Sequence, residues 1–138
     1  MSDFYNFVKN FFSTDESIDN TKYSTVGHEF RFSTDNAEGI YWFYEGDNFT
    51  IDIYDVFIKK EIIHTSFSGL NNFYSLYLSY LVTANGECFN PYQNLSSNSL
   101  FTINTKNSKD FRFLLHKNSP YLGIGINFNS EIIALVKP

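Results

Sequence analysis

The sequence predicts an antiparallel all-β domain, built either as a sandwich or as a barrel. From His28 onward, apolar residues recur with a period of two, which is typical of strands that bury one face. Clusters of Gly, Asn, Asp, Ser and Pro separate these segments and predict turns between them. No helical pattern interrupts the seven or eight predicted strands. This order favours a sandwich or barrel and argues against an alternating α/β fold.

The first predicted element is a short amphipathic helix over Asp3–Phe12. Either Ser2 or Asp3 is suited to cap it. Its polar face carries one cation, Lys9, so docking on its own domain is favoured over lying on a membrane surface. Its position makes the helix a candidate lid or arm for a ligand site. The apolar stripe consists of Phe4, Phe7, Val8, Phe11 and Phe12.

The strands follow a polar loop over residues 13–25. Turns are predicted at residues 45–48, 68–72, 84–87, 106–110 and 117–121. The apolar positions of the successive predicted strands are Phe30 and Phe32; Ile40, Trp42 and Tyr44; Phe49, Ile51 and Ile53; Tyr74, Leu76, Leu78, Tyr80 and Val82; Phe101 and Ile103; Phe111, Phe113 and Leu115; and Leu122, Ile124, Ile126 and Phe128.

Length and composition indicate one globular domain. The chain has 138 residues, of which 43% are hydrophobic and 18% charged. Aromatic residues reach 20%, which reflects either AT-rich codon usage or functional enrichment. A net charge of -5 makes the chain by itself a poor ligand for nucleic-acid phosphates. The single cysteine, the absence of an apolar run of about 20 residues and the absence of a signal-peptide pattern predict a cytoplasmic location without a membrane partner.

Catalytic and metal-binding patterns are missing from the sequence. His28, His64 and His116 lie far apart, with no pair at the spacing of metal ligands on one strand face. Gly123 and Gly125 lack the third glycine and the following helix of a dinucleotide-binding loop. Their pattern instead indicates close packing against the backbone of one strand face. We therefore predict no catalytic residue, no metal site and no cofactor.

Five residues are candidates for binding a small molecule in the lumen of the domain. Aromatic rings with a few hydrogen-bonding groups are typical of ligand pockets. Trp42 and Tyr44 share one strand face, as do Arg112 and His116, and Tyr77 lies between two serines of its face. The alternative is that these side chains lie on the outer face or fill the core.

The last segment, Asn129–Pro138, has a capping serine followed by an acid and helix-compatible apolar residues. We interpret it as the start of a linker helix in a longer protein. The predicted organisation is an arm over residues 1–27, a sensor domain over residues 28–128 and this truncated helix over residues 129–138.

Three stretches together resemble the N-terminal regions of AraC-family transcription regulators of the clostridial type. They are Gly39–Glu61 with "YWFY" before a strand, Ser75–Asn98 with "GE…NPY…LS", and Phe111–Phe128 with "HKN.P…GI.I". The resemblance implies a cupin-like jelly-roll barrel that senses a small-molecule effector and often dimerises. It also implies a C-terminal helix-turn-helix region that contacts DNA and that this chain lacks. The family has no fixed effector motif, so it assigns no ligand residue here.

The favoured function is therefore the ligand-sensing domain of an AraC-family regulator, not an enzyme. Its expected partners are a small-molecule effector, a second copy of the chain, and DNA only through the missing C-terminal domain. Two alternatives remain open. One is a cupin-type enzyme, and the other is a lipocalin-like carrier of a small apolar ligand.

Overall fold

A computed structural model describes residues 2–65, 73–89, 92–104 and 112–129 of the chain. These residues form one short helix and ten strands. The elements are α1 (Asp3–Phe12), β1 (His28–Ser33), β2 (Ala37–Glu45), β3 (Phe49–Ile58), β4 (Ile62–Thr65), β5 (Leu76–Thr83), β6 (Asn85–Phe89), β7 (Gln93–Ser96), β8 (Ser99–Asn104), β9 (Arg112–Leu115) and β10 (Ser119–Phe128).

The strands form two antiparallel sheets, which confirms the mainly β prediction. One sheet has the order β1-β2-β3-β10-β5-β8, and the other has the order β4-β9-β6-β7. The last eight strands pair in nested order: β3 with β10, β4 with β9, β5 with β8, and β6 with β7. Folding such a nested hairpin into two sheets gives a jelly roll, the architecture that cupins share. Strands β1 and β2 extend the larger sheet beyond β3.

The helix and several turns agree with the sequence pattern. Helix α1 spans the predicted residues, and the Ser2 hydroxyl accepts a hydrogen bond from the Tyr5 amide at 3.0 Å, as an N-cap does. In the predicted turn after β2, the Gly46 amide donates to the Phe49 carbonyl and Asn48 adopts a positive φ of 68°. The turns predicted at 68–72 and 106–110 and the helix predicted from Ser130 lie outside the described residues.

One turn prediction is wrong, another extends too far because residues 119–121 belong to β10, and three strands were missed. Residues 84–87 were expected to form a turn, but Asn85–Phe89 forms β6, which pairs with β7 and β9. Strands β4 and β7 were also missed because neither alternates: the two isoleucines of β4 are adjacent, and β7 has one apolar residue, Leu95. Their pairing with neighbouring strands stabilises them, which is a tertiary effect that local pattern does not contain.

Two apolar clusters lie on the inner side of the large sheet. One packs α1 against β1 and β2 through Phe4, Phe30 and Phe43. The other fills the space between the sheets around Leu81, Cys88, Leu95, Phe101 and Ile103. The space between these two clusters contains the candidate site.

Candidate functional site

A cavity of about 490 Å³ opens between the two sheets and is bordered by α1. This volume lies within the usual range for small-molecule pockets. The large sheet contributes Val56, Ile58 and four tyrosines, and the small sheet contributes Phe113 and Leu115. The four tyrosines are Tyr41, Tyr54, Tyr77 and Tyr121. The wall is therefore apolar and aromatic, with phenol groups as its main polar element.

Helix α1 forms one side of this cavity through its predicted apolar stripe. The ring of Phe4 meets the ring of Phe43 edge-on, with centroids 5.0 Å apart. Phe12 stacks between Phe32 at 4.7 Å and Tyr41 at 5.3 Å. All five residues of the stripe line the cavity. A change in the position of the helix would therefore change the shape of the cavity.

A buried polar cluster lies behind the tyrosines of the wall. Asp52, on the inner face of β3, is 1% exposed. The Tyr41 hydroxyl donates to Asp52 Oδ2 at 3.0 Å. Asn127 Nδ2 donates to Thr50 Oγ1 at 3.0 Å and to Asp52 Oδ2 at 3.3 Å. Tyr41 therefore links the cavity wall to a buried carboxylate.

The backbone leaves space for this cluster at Gly125. A Cβ atom there would lie 2.6 Å from Asp52 Oδ1 and 2.7 Å from the Tyr77 hydroxyl, closer than real Cβ contacts allow. Asn127 Oδ1 has no hydrogen-bond partner among the described residues. Asp52 Oδ1 also lacks a well-aligned donor there, although the Gly125 amide and the Tyr77 hydroxyl come near enough to lower its pKa. The cluster thus holds more acceptor capacity than it uses.

Burial dominates the ionisation of the cluster. Removal from water raises the pKa of Asp52 from 3.8 to about 6, and the hydrogen bonds from Tyr41 and Asn127 oppose that rise. Burial and the negative charge of Asp52 together raise the pKa of Tyr41 and Tyr77 well above 10. The same two causes raise the pKa of Tyr54 and Tyr121. The tyrosines are therefore neutral phenols at neutral pH.

Of the five predicted ligand residues, Tyr77 lies in the cavity wall. It is 6% exposed and pairs with Asn127 across β5 and β10. Tyr41 and Phe43 occupy the inner face of β2, and successive side chains of a strand alternate between faces. Trp42 and Tyr44 therefore lie on the outer face, and their predicted placement in the lumen is wrong.

The burial of Trp42 has a structural cause on that outer face. Its indole Nε1 donates to the Ser24 carbonyl at 2.8 Å, beneath the loop over residues 17–27. The Glu29 carboxylate fixes the same loop by accepting hydrogen bonds from the Lys22 and Tyr23 amides. Asp55 accepts from the Lys22 ammonium and the Tyr23 hydroxyl, both at 2.7 Å. Trp42 thus anchors a loop.

Arg112 and His116 also lie away from the cavity. Phe113 and Leu115 point into it from β9, so Arg112 occupies the opposite face and is exposed. His116 follows the strand and places Nδ1 3.6 Å from Glu61 Oε1. The shared face predicted for these two residues is therefore an outer one, and the five candidates do not come together.

The polar cluster was missed by sequence reasoning. The sequence assigned Ile51 and Ile53 to the buried face of β3, whereas Thr50 and Asp52 are the fully buried residues. Two signals were available: Tyr54 continues the Thr50–Asp52 face, and Gly125 and Asn127 share a face on β10. Small and polar residues at alternate positions of two strands indicate a packed polar face when the strands are neighbours.

The described part of the chain contains neither a cluster of metal ligands nor a helix that could cross a membrane. No group of three His, Cys, Asp or Glu side chains in the described ranges is arranged to hold a metal ion. Within the same ranges, the one helix is too short to cross a membrane. The imidazole of His28 pairs with the Glu16 carboxylate at 3.0 Å.

Comparison with known proteins leaves the family open. No family model and no curated protein matches this chain. Among solved structures, the chain is similar to one described as "The structure of KdgF from Halomonas sp.", with 8% identity and a TM-score of 0.35. That similarity covers 88% of this chain and 94% of the other. The jelly roll follows from the strand pairing of this chain itself.

Proposed function

We propose that this chain binds a small molecule in the cavity between its two sheets. The observation that carries the proposal is the cavity itself: about 490 Å³, walled by apolar and aromatic side chains, with phenol groups backed by a buried carboxylate. Apolar walls supply affinity through burial, and a few convergent polar groups supply orientation.

We further propose that binding is a sensing step of an AraC-family transcription regulator in the cytoplasm. The support is the resemblance carried by Gly39–Glu61, Ser75–Asn98 and Phe111–Phe128. A ligand that fits one position of α1 better than another shifts the population toward that position. Because α1 borders the cavity and packs on β1 and β2, ligand binding would change the position of α1 and with it the surface of the domain.

Thermal unfolding against a ligand panel tests the binding function. The panel contains neutral aromatics, sugars, amino acids, bile acids and short peptides. A ligand at a hundredfold excess over its Kd stabilises the native state by about 2.7 kcal/mol. The Val56→Phe variant fills part of the cavity and is expected to lose the response, whereas Val26→Phe, on an exposed loop residue, keeps it. A response that survives Val56→Phe unchanged would place the ligand elsewhere.

The regulator assignment has its own test. Reading the source gene past the codon for Pro138 is expected to give an in-frame basic region with two helix-turn-helix patterns. A stop codon at that position contradicts the regulator and leaves a carrier or an enzyme as the function of the domain.

The enzyme alternative has one observation in its favour. A buried carboxyl whose pKa is raised to about 6 resembles a general acid or base. Asp52 does not line the cavity itself and reaches it through the phenols of Tyr41 and Tyr77, so proton exchange with a ligand would have to pass through one of them. Turnover of a panel ligand that Asp52→Asn abolishes, with binding intact, would favour the enzyme over the sensor.

A further inference from the structure

We infer that the cavity selects a neutral or cationic molecule that has an apolar body and one hydrogen-bond donor, and that it rejects anions. The inference rests on the proposed binding function and specifies its ligand class. The donor would lie against the phenol oxygens of Tyr41 and Tyr77, with the Asp52 carboxylate behind them.

The direction of the Tyr41 hydrogen bond is the first argument. A phenol has one proton and two lone pairs, and Tyr41 donates that proton to Asp52 at 3.0 Å. With that proton committed, the Tyr41 oxygen can only accept. The neighbouring Tyr54 hydroxyl comes near enough to occupy one of its two lone pairs, which leaves the other for a ligand. At this oxygen a ligand N–H or O–H forms a hydrogen bond, whereas a ligand carbonyl or carboxylate meets a second acceptor.

Unused acceptors in the cluster point the same way. Asn127 Oδ1 is buried and has no partner among the described residues, and its amide is 1% exposed. The amide hydrogens of Asn127 are directed to Thr50 and Asp52, which leaves its oxygen as the free end. Asn127 does not line the cavity, so this oxygen does not itself contact a ligand. It shows that acceptors outnumber donors behind the wall, which disfavours a further acceptor placed against it.

Charge is the third argument. Neither a lysine, an arginine nor a histidine is among the described residues that line the cavity, while the buried Asp52 carboxylate stands directly behind its wall. An anion would lose its hydration and meet a like charge at short range, and both effects oppose its binding.

A lysine, Lys59, lies near the rim of the cavity. Lys59 Nζ donates to the Thr34 carbonyl at 3.0 Å, and Thr34 borders the cavity. The same ammonium contacts the Ser33 hydroxyl and, at 3.4 Å, the Glu38 carboxylate. Lys59 therefore already has an anionic partner. An acidic ligand bound in the opposite orientation, with its carboxylate at the rim of the cavity, would contact this ammonium.

Three biphenyls of matched shape test the inference by titration calorimetry at neutral pH. They are 4-hydroxybiphenyl, which has a neutral donor, 4-methoxybiphenyl, which has none, and biphenyl-4-carboxylate. We expect the hydroxyl compound to bind at least about tenfold more tightly than either of the others. Its O–H donates to the Tyr41 oxygen, which is hydrogen-bonded to the Asp52 carboxylate, and hydrogen bonds that involve charged groups are the stronger ones. Equal binding of the methoxy compound, or tighter binding of the carboxylate, overturns the inference.

Single-residue variants test which side chains cause the difference in affinity among the three biphenyls. Tyr41→Phe removes the proposed acceptor and is expected to bring the hydroxyl compound down to the affinity of the methoxy compound. Tyr80→Phe is the matched control, because Tyr80 lies on β5 like Tyr77 but is exposed on the outer face. Asp52→Asn keeps an acceptor without the charge, so the penalty on the carboxylate is expected to shrink severalfold while 4-hydroxybiphenyl still binds.

Two outcomes separate this inference from the binding function on which it rests. Carboxylate binding that Lys59→Gln abolishes would show an anion held at the rim and would overturn the inference, while small-molecule binding stands. If none of the three biphenyls and no panel ligand binds to a protein that unfolds cooperatively, the binding function itself fails, and the inference fails with it.

Discussion

Replacing Asp52 with asparagine should change how the stability of the domain depends on pH. In the unfolded chain the Asp52 carboxyl loses its proton near its ordinary pKa of 3.8, and in the folded protein it does so near 6. Between these values the native state holds a proton that the unfolded state has released. Raising the pH through this window therefore favours unfolding, and the stability present below about pH 4 is lost as pH passes 6.

The size of the effect follows from the shift. At roughly 1.4 kcal/mol per pH unit, a rise from 3.8 to about 6 corresponds to about 3 kcal/mol. The asparagine side chain of the variant cannot ionise, so the variant lacks this loss. The free energy of unfolding of Asp52→Asn minus that of the wild type should therefore increase by up to about 3 kcal/mol between pH 4 and about pH 7.5.

Urea titrations at half-unit pH intervals measure this difference, in which the titration of all other groups largely cancels. Asp55→Asn is the matched control, on the same strand but the opposite face. Partial burial opposes the shift, but the hydrogen bonds from Lys22 and Tyr23 lower the pKa of Asp55. Its variant should therefore lose stability relative to wild type as pH rises from about 3 to about 5. A difference for Asp52→Asn that is flat or falls with pH refutes the reasoning.

Three further predictions concern single residues. Gly125→Ala should destabilise the domain by about 1–3 kcal/mol in chemical unfolding, because the added Cβ would clash with Asp52 and Tyr77. Gly123→Ala should destabilise it less, because the nearest atom to the added Cβ is 3.3 Å away. Equal losses of stability would contradict the packing described. Trp42→Phe removes the hydrogen bond to Ser24 and should speed hydrogen exchange in the loop over residues 17–27, without changing the affinity for the biphenyls. Weaker ligand binding would contradict the position of Trp42 on the outer face. Cys88 is buried and its thiol pKa is raised to about 11 by that burial, so a thiol reagent at about pH 8 should modify it only as the protein unfolds; rapid labelling of the native protein would be the contrary result.

Prediction from sequence succeeded where a local pattern determines the structure. The stripe from Phe4 to Phe12 has a capping serine before it, and α1 forms over the expected residues. The alternation in β1, β2, β3 and β10 indicated strands. A succession of strands without helices between them is compatible with few architectures, chiefly a sandwich or a barrel. The nested pairing that defines the jelly roll was not in the local pattern, since it depends on contacts between distant strands.

The assignment of faces failed for a physical reason. Both faces of the large sheet carry apolar residues, so alternation identifies two faces without identifying the inner one. Ile124 and Tyr80 are partly exposed on the outer face, whereas Asp52 and Asn127 are buried on the inner face. A buried carboxylate is acceptable there because Tyr41 and Asn127 donate to it, and those partners become visible only when the strands are paired.

The position of a bound molecule tests the central claim most directly. We would record nuclear Overhauser effects between 4-hydroxybiphenyl and the protein. The account predicts contacts from the ligand to the rings of Tyr41, Tyr77 and Phe113, with the hydroxyl end at Tyr41. Contacts confined to outer-face residues such as Tyr80 and Leu100 would contradict a ligand site between the sheets.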